Sequence, residues 1–137
     1  MFVNEFEEEI MTAITNLKIE REVQVFTDEE KHIILKKIQE IFVCGNPRVW
    51  WLALKYKPKS YVFKGKESYK KIADFFDKEE NVWFIIEEDR LLYKTKILYI
   101  IDIIADCSYF EYYIISEKYD RFLCETDHGE FLFVDRR

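Results

Sequence analysis

Apolar residues in the first third of the chain recur at helical spacing. Over residues 3–20 they fall three or four positions apart, which predicts one buried stripe of an amphipathic helix: Phe2, Phe6, Ile10, Ala13, Ile14 and Leu17. A second helix is predicted to begin at Thr27, because Thr27 and Glu30 form a capping-box signature. Gly45-Asn46-Pro47 ends this helix, and its predicted inward side chains are Ile33, Ile34, Ile38, Ile41 and Phe42.

Short apolar runs separated by polar breaks follow. Residues 48–57 fit either a strand or one buried helical turn. We favour a strand, on which the adjacent Trp50 and Trp51 would point to opposite faces. Residues 61–64 are predicted to form another strand. The nearly continuous apolar run that starts after Asn81 is typical of a central strand covered on both faces.

Two further helices and a final group of strands complete the prediction. Helical spacing predicts helices over residues 67–77 and 93–105. From Tyr109 to Asp135, three β-rich runs separated by short polar turns predict a β-meander. The predicted fold is therefore α+β, with about four helices packed on a mostly antiparallel sheet that ends in a three-stranded C-terminal meander. We expect a single domain over residues 1–137.

Composition excludes several classes of protein. With 49% hydrophobic and 35% charged residues, the chain is globular in composition rather than disordered. The acidic start lacks the basic and apolar regions of a signal peptide, and the apolar run at residues 97–105 is too short to span a bilayer. The three cysteines, Cys44, Cys107 and Cys124, lie in apolar runs, and the sequence has no CxxC pair. This pattern is typical of reduced, buried cysteines. We therefore expect a soluble, cytoplasmic protein.

The net charge of −6 conceals three blocks of alternating sign. Residues 1–30 carry nine acids and two bases, residues 31–71 carry two acids and eleven bases, and residues 72–137 carry sixteen acids and eight bases. Complementary charged patches raise the encounter rate with a protein partner and disfavour wrong partners. The pattern therefore favours a charged protein partner, and the alternative is a solvated surface without a partner.

Side chains that could carry chemistry are few. The sequence has no glycine-rich phosphate loop, no GxSxG and no HExxH, which argues against nucleotide-dependent catalysis. Cys124 and His128 could be a nucleophile and its base, or two metal ligands, but a core cysteine and a turn histidine explain them more simply. Strand pairing would place Glu111 near Glu125 or Thr126, and in the first case the two carboxylates could form a pair. We predict that the protein is not an enzyme and needs no metal or cofactor.

Residues 48–71 suggest an alternative function. Lysines alternate there with aromatic rings, as in proteins that neutralise the backbone of single-stranded nucleic acid and stack its bases. The pI of about 5.1 and the acidic blocks on either side would repel phosphate. Nucleic-acid binding through this segment is therefore the second hypothesis, and a membrane partner is not expected.

The meander resembles a small family of bacterial domains. The residues that carry the resemblance are EYYII at 111–115, FLCE at 122–125, His128, the Trp50-Trp51 pair and the VWFIIEED segment. Such domains resemble immunity proteins of polymorphic-toxin systems, loosely SMI1/KNR4-like (SUKH) proteins. Phe122 stands where that pattern has Trp, and Gly129 replaces a second His. The resemblance implies binding of a toxin and implies no catalytic residues.

The most specific prediction is thus a non-enzymatic, immunity- or antitoxin-like domain. It would inhibit a bacterial toxin through an acidic and aromatic surface, because aromatic anchors and complementary charge are what tight protein interfaces use. A net-acidic surface suits a basic nuclease toxin. The residues predicted to contact the partner are Trp50, Trp51, Glu87, Glu88, Asp89, Glu111, Tyr113, Glu125 and His128.

Overall fold

Residues 4–65 and 67–137 are described by a computed structural model, in which six antiparallel strands form one sheet. The strands are β1 (Lys59–Val62), β2 (Asn81–Ile86), β3 (Leu91–Lys96), β4 (Tyr112–Ser116), β5 (Arg121–Glu125) and β6 (Glu130–Asp135). Their order across the sheet is β1-β6-β5-β4-β2-β3, so β4, β5 and β6 form the predicted C-terminal meander. Phe2 and Val3, assigned to the first predicted helix, lie outside the described residues.

Three α-helices and three short 3₁₀ helices occur in the described part of the chain. The α-helices are α1 (Glu5–Leu17), α2 (Asp28–Phe42) and α3 (Ile97–Ala105), and the 3₁₀ helices are η1 (Trp50–Ala53), η2 (Ser68–Asp74) and η3 (Glu88–Arg90). The predicted α+β fold is thereby confirmed, although the third predicted helix is the 3₁₀ helix η2. Across these same residues, no helix is both long and apolar enough to cross a membrane.

Helices cover the sheet on both sides. α1, α3 and η2 cover one side, the α1–α3 face, where Ile14 and Ile100 pack against Phe84 of β2. α2 and η1 cover the other side, the α2 face, where Ile38 packs in a cluster with Phe122 of β5. β2 contributes alternate residues to both clusters, and all but its first residue are buried. The prediction of a central strand covered on both faces is confirmed.

The start of α2 confirms the predicted capping box. The Glu30 amide donates to Thr27 Oγ1 at 3.2 Å, and the Thr27 amide donates to Glu30 Oε1 at 3.0 Å. α1 has a similar start, where the Glu7 amide donates to Asn4 Oδ1 at 3.0 Å. Ile33 was assigned to the inward stripe of α2, and this assignment is wrong because Ile33 is 61% exposed. The buried stripe follows every fourth residue, and Ile33 lies roughly 100° away from it around the helix.

The favoured strand at residues 48–57 is wrong, because η1 occupies the middle of this segment. Val43 forms an isolated bridge with Leu54, and the Cys44 amide donates to the Ala53 carbonyl at 2.7 Å. These contacts hold both ends of the segment next to the end of α2, so the chain between them turns tightly. The turn inserts Trp50 into the core of the α2 face.

The predicted fourth helix begins too early. β3 occupies the first part of that segment, and α3 starts only at Ile97. β3 pairs with β2 along its whole length, with Tyr93 opposite Phe84, and this pairing overrides the local helical spacing. The Gln24 amide donates to the Lys94 carbonyl at 2.8 Å and so covers the outer edge of β3. Covering this edge limits its pairing with other chains.

Candidate functional site

Five of the nine residues predicted to contact a partner meet at one place, between η1, the start of β4 and the η3 turn. The Trp50 amide donates to Tyr113 Oη at 3.0 Å, and the Tyr113 hydroxyl donates to the Glu87 carboxylate. Trp51 Nε1 donates to Glu111 Oε1 at 3.0 Å, while the Glu87 amide donates to the Glu111 carbonyl at the same distance. These five residues therefore form one cluster of interacting groups, while their predicted contact with a partner stays a prediction.

The burial of this cluster corrects the role of two of its members. Trp50 is 0% exposed and Tyr113 is buried, so neither side chain is available as a direct contact for a partner. Burial, together with the hydrogen bond to Glu87, raises the pKa of Tyr113, which keeps its hydroxyl protonated as a donor. Trp50 and Tyr113 therefore support the surface to which a partner could bind and are not part of that surface.

Arg90, which the sequence prediction did not include, completes the cluster. Its guanidinium lies 2.9 Å from Glu87 Oε1, and its central carbon lies 4.4 Å from the centre of the Trp50 ring. Arg90 and its neighbour Asp89 have positive φ angles of 49° and 60°. Such angles are unfavourable for residues with a Cβ, so the contacts of Arg90 hold the η3 turn in a strained shape. The exposed Glu88 and Asp89 therefore have defined positions on the surface.

A shallow groove of about 150 Å³ lies near this turn, at the outer edge of β3, and is called the acidic groove below. α1 and α2 lie on opposite faces of the sheet, and their first turns flank the groove. Met11 and Val25, which are 41% and 59% exposed, contribute apolar surface to it. Acidic residues come from three segments around this edge: Glu5, Glu7, Glu8, Asp28, Glu29, Glu30, Glu88 and Asp89.

The contacts of Asn4 explain how these segments come together. Asn4 caps α1 through the Glu7 amide, and its Nδ2 donates to the Asp89 carboxylate, which joins the start of α1 to the η3 turn. Glu7 and Asp28, from the first turns of the two helices, both line the acidic groove. Acid in a first turn stabilises a helix, so each group also has a local role. In the sequence, the negative net charge of residues 1–30 was the only indication of this groove, because Glu7 and Asp28 both belong to that block.

Cys124, on the second strand of the meander, and His128, in the turn that follows this strand, lie in different environments. Cys124 is fully buried on the α2 face, and burial raises its thiol pKa, which confirms the prediction of a core cysteine. The His128 side chain is 82% exposed in a turn, with Nε2 at 3.4 Å from Asp127 Oδ1. Gly129 in the same turn has the predicted positive φ, 73°. Within residues 4–65 and 67–137, no three His, Cys, Asp or Glu side chains are grouped closely enough to hold a metal ion.

The predicted carboxylate pair of Glu111 and Glu125 is wrong. Tyr112 of β4 lies directly opposite Glu125 of β5, so Glu125 shares the α1–α3 face with Tyr112. Glu111 instead contacts Trp51 on the α2 face. The two carboxyl groups are therefore on opposite faces of the sheet, because strand alternation separates neighbouring residues.

Glu125 supports a prediction about pH. Its side chain is 7% exposed, and burial raises its pKa above the ordinary value of 4.5. The ionisable groups that line the same cavity are Glu67, Tyr69, Cys107, Tyr109 and Tyr112. The folded state binds a proton more tightly than the unfolded state, so stability falls as pH rises above about 4.5. Replacing Glu125 by Gln removes this loss, and we expect the variant to be more stable than the wild type by about 1 kcal/mol at pH 7.

Urea denaturation of both proteins at pH 4 and pH 7 checks this expectation. The stability difference should be small at pH 4, where Glu125 is protonated in both states, and should grow toward neutral pH. A Glu125→Gln variant that is equally destabilised at both pH values would contradict the assignment of a buried, costly carboxylate.

Comparison with known proteins identifies the family but no function. The chain belongs to DUF6756, a family of unknown function, whose model matches residues 3–137. No curated protein and no solved structure matches the chain significantly. Binding of a toxin and the resemblance to SMI1/KNR4-like proteins therefore stay predictions.

Proposed function

We propose that this domain binds a basic protein partner at the acidic groove and has no catalytic role. The observation that supports this most directly is the exposed apolar surface of Met11 and Val25 in a groove that is also lined by carboxylates from the first turns of two helices, Glu7 of α1 and Asp28 of α2. Of the described residues that line the groove, Lys31 alone is basic. The acidic residues of the groove attract a cationic surface, and a partner bound there would cover the apolar centre of the groove.

The supporting cluster under the η3 turn favours binding over a purely structural role for the acids. Glu88 and Asp89 sit on a strained turn that Arg90, Glu87 and Trp50 hold in place. Acidic side chains that are held in place lose less conformational entropy when a partner binds than mobile ones do. Met11 adds an adaptable apolar contact, since methionine packs against irregular surfaces.

The finer proposal is an immunity-like inhibitor of a cytoplasmic bacterial toxin. Toxins that cleave nucleic acid need basic surfaces, and a rigid acidic domain has the complementary charge. The resemblance of the meander to immunity-type domains points in the same direction. Neither argument depends on a catalytic residue in this chain.

Nucleic-acid binding through residues 48–71 is less well supported, because its rings are used for packing. Trp50 is buried, and Trp51 is hydrogen-bonded to Glu111. The Tyr61 ring is stacked 6.2 Å from Phe63. A stacking platform needs rings whose faces are free for bases. We therefore propose the protein partner as the single function.

The test uses the protein encoded next to this chain's gene as the probe. Its complex with the wild-type domain is measured by isothermal titration calorimetry at low and high salt. We expect the double substitution Glu7→Lys and Asp28→Lys to weaken binding at least about tenfold, because it reverses charge on both sides of the groove. Affinity of the wild type should fall with added salt.

A matched control separates the groove from net charge. Glu40 on α2 and Asp102 on α3 are exposed and lie outside the groove, so Glu40→Lys with Asp102→Lys makes the same change in net charge. The control should bind within about threefold of the wild type. The proposal fails if both double variants weaken binding equally, or if no complex forms at about 10 µM protein.

A further inference from the structure

A second cavity lies on the α1–α3 face, between η2, the end of α3 and the start of β4. Its volume is about 350 Å³, which is in the range of small-ligand sites. Glu125 and Tyr112 line it, together with the rings of Tyr69, Tyr109 and Phe110. The cavity shares no lining residue with the acidic groove.

Two of the polar side chains that line this cavity, Tyr112 and Glu125, are buried. Tyr112 is 1% exposed, and its hydroxyl has no hydrogen-bond partner of regular geometry within the described residues. The hydroxyl groups of Tyr112 and Ser68 face the Glu125 carboxyl. Both hydroxyls are neutral, so no positive group among the described lining residues balances the charge of the Glu125 carboxylate, and a group supplied from outside could balance it.

The charge and the rings of the cavity indicate what that group is. Glu67 also lines the cavity, and none of the lining residues that the structure describes is basic. Glu67 is exposed and bonded to Lys70 at 2.9 Å, which leaves Glu125 as the carboxylate without a counter-ion. Aromatic faces attract cations, and a buried carboxylate is most stable beside one.

We propose that this cavity binds an organic cation, an alkylammonium or guanidinium group, whose charge pairs with Glu125 and whose carbon chain lies against Tyr69, Tyr109 and Tyr112. The hydroxyl of Tyr112 supplies a further polar contact to the bound group. The cation has two possible sources that share this chemistry: a free small amine or guanidine, and a Lys or Arg side chain of a protein. The proposal does not rest on the acidic groove.

Isothermal titration calorimetry with n-butylguanidinium tests the proposal, and n-butylurea serves as its neutral analogue. We expect saturable binding of the guanidinium with a Kd on the order of 0.1–1 mM and no binding of the urea. Glu125→Gln should weaken binding at least about tenfold, and Tyr112→Phe by about threefold. Asp102→Asn, which removes an exposed charge outside the cavity, should leave binding unchanged.

A third probe, an N-acetylated and C-amidated Gly-Arg-Gly peptide, distinguishes the two sources. Binding of this peptide as well as n-butylguanidinium indicates a protein side chain, and binding of n-butylguanidinium alone indicates a free ligand. Thermal unfolding of each variant shows that it is folded, so a loss of binding by Glu125→Gln is not a loss of structure. The proposal is overturned if the urea binds equally, if Glu125→Gln binds like the wild type, or if no guanidinium binding is measurable at about 10 mM.

Discussion

Replacing Trp50 by alanine is expected to lower the free energy of unfolding by about 3–5 kcal/mol. The indole is fully buried on the α2 face, with its ring centre 5.1 Å from that of Tyr113. The substitution leaves a cavity and removes the ring on which the Arg90 guanidinium stacks. The effect should extend to the η3 turn, because Arg90 also holds Glu87.

Chemical denaturation followed by far-UV circular dichroism measures this loss. Trp51→Ala is the matched control, because Trp51 is only partly buried and loses one hydrogen bond, to Glu111. We expect it to cost about 1 kcal/mol. Trp50→Phe should cost less than Trp50→Ala, since it keeps a ring and removes Trp50 Nε1, which has no hydrogen-bond partner among the described residues. Equal losses for Trp50→Ala and Trp51→Ala would show that η1 does not bury Trp50 as described.

Replacing Arg121 by methionine is expected to cost about 2 kcal/mol of stability. Arg121, at the start of β5, contacts the Glu80 carboxylate and donates from Nη1 to the Phe75 carbonyl at 3.3 Å. Its guanidinium also lies 4.9 Å from the centre of the Phe76 ring. Methionine keeps the apolar volume of the aliphatic part of the arginine side chain, so the decrease in stability measures the contribution of the charge and the hydrogen bonds. Glu80 would be left partly buried without a counter-ion.

Arg137→Met is the control for this prediction, since Arg137 forms an exposed ion pair with Asp135 at 2.9 Å. Arg137→Met should lower the free energy of unfolding by no more than about 0.5 kcal/mol, as is usual when a surface ion pair is removed. Adding Glu80→Gln to Arg121→Met should recover part of the stability, because it removes the unpaired carboxylate. If Arg121→Met and Arg137→Met have the same effect, Arg121 does not join η2 to the sheet.

Stability and function are expected to conflict at Glu125. The pH dependence described above predicts a more stable Glu125→Gln protein at neutral pH, while the cavity proposal predicts loss of ligand binding. A residue that lowers stability and is needed for binding is typical of a functional site. Charge reversal at the acidic groove should instead weaken binding and slightly lower stability, because acids in the first turns of α1 and α2 stabilise these helices.

Local sequence signals were sufficient for several features of this protein. The capping box at Thr27 and Glu30, the apolar run of β2 and the meander were all predicted correctly. Each depends on residues that are close in sequence, through a cap, an alternation or a turn. Burial of Cys124 was also predictable, because strand alternation places it with Phe122 on one face.

Other features depended on contacts between distant residues. β3 forms because β2 offers it a pairing edge, and η1 lies in a segment that the bridge between Val43 and Leu54 closes. Helical or strand periodicity in a short apolar segment cannot decide between such outcomes, since the deciding hydrogen bonds come from elsewhere in the chain.

The sequence by itself determined the fold class, the amphipathic first helix, the capping box of the second helix and the acidic character of residues 1–30. Only the tertiary structure decided that the first turns of α1 and α2 would flank the same edge of the sheet, and that Glu111 and Glu125 would face opposite sides. The physical reason is that charge and periodicity are properties of single segments. The relative position of segments is set by packing on the shared sheet, which buries both faces at once.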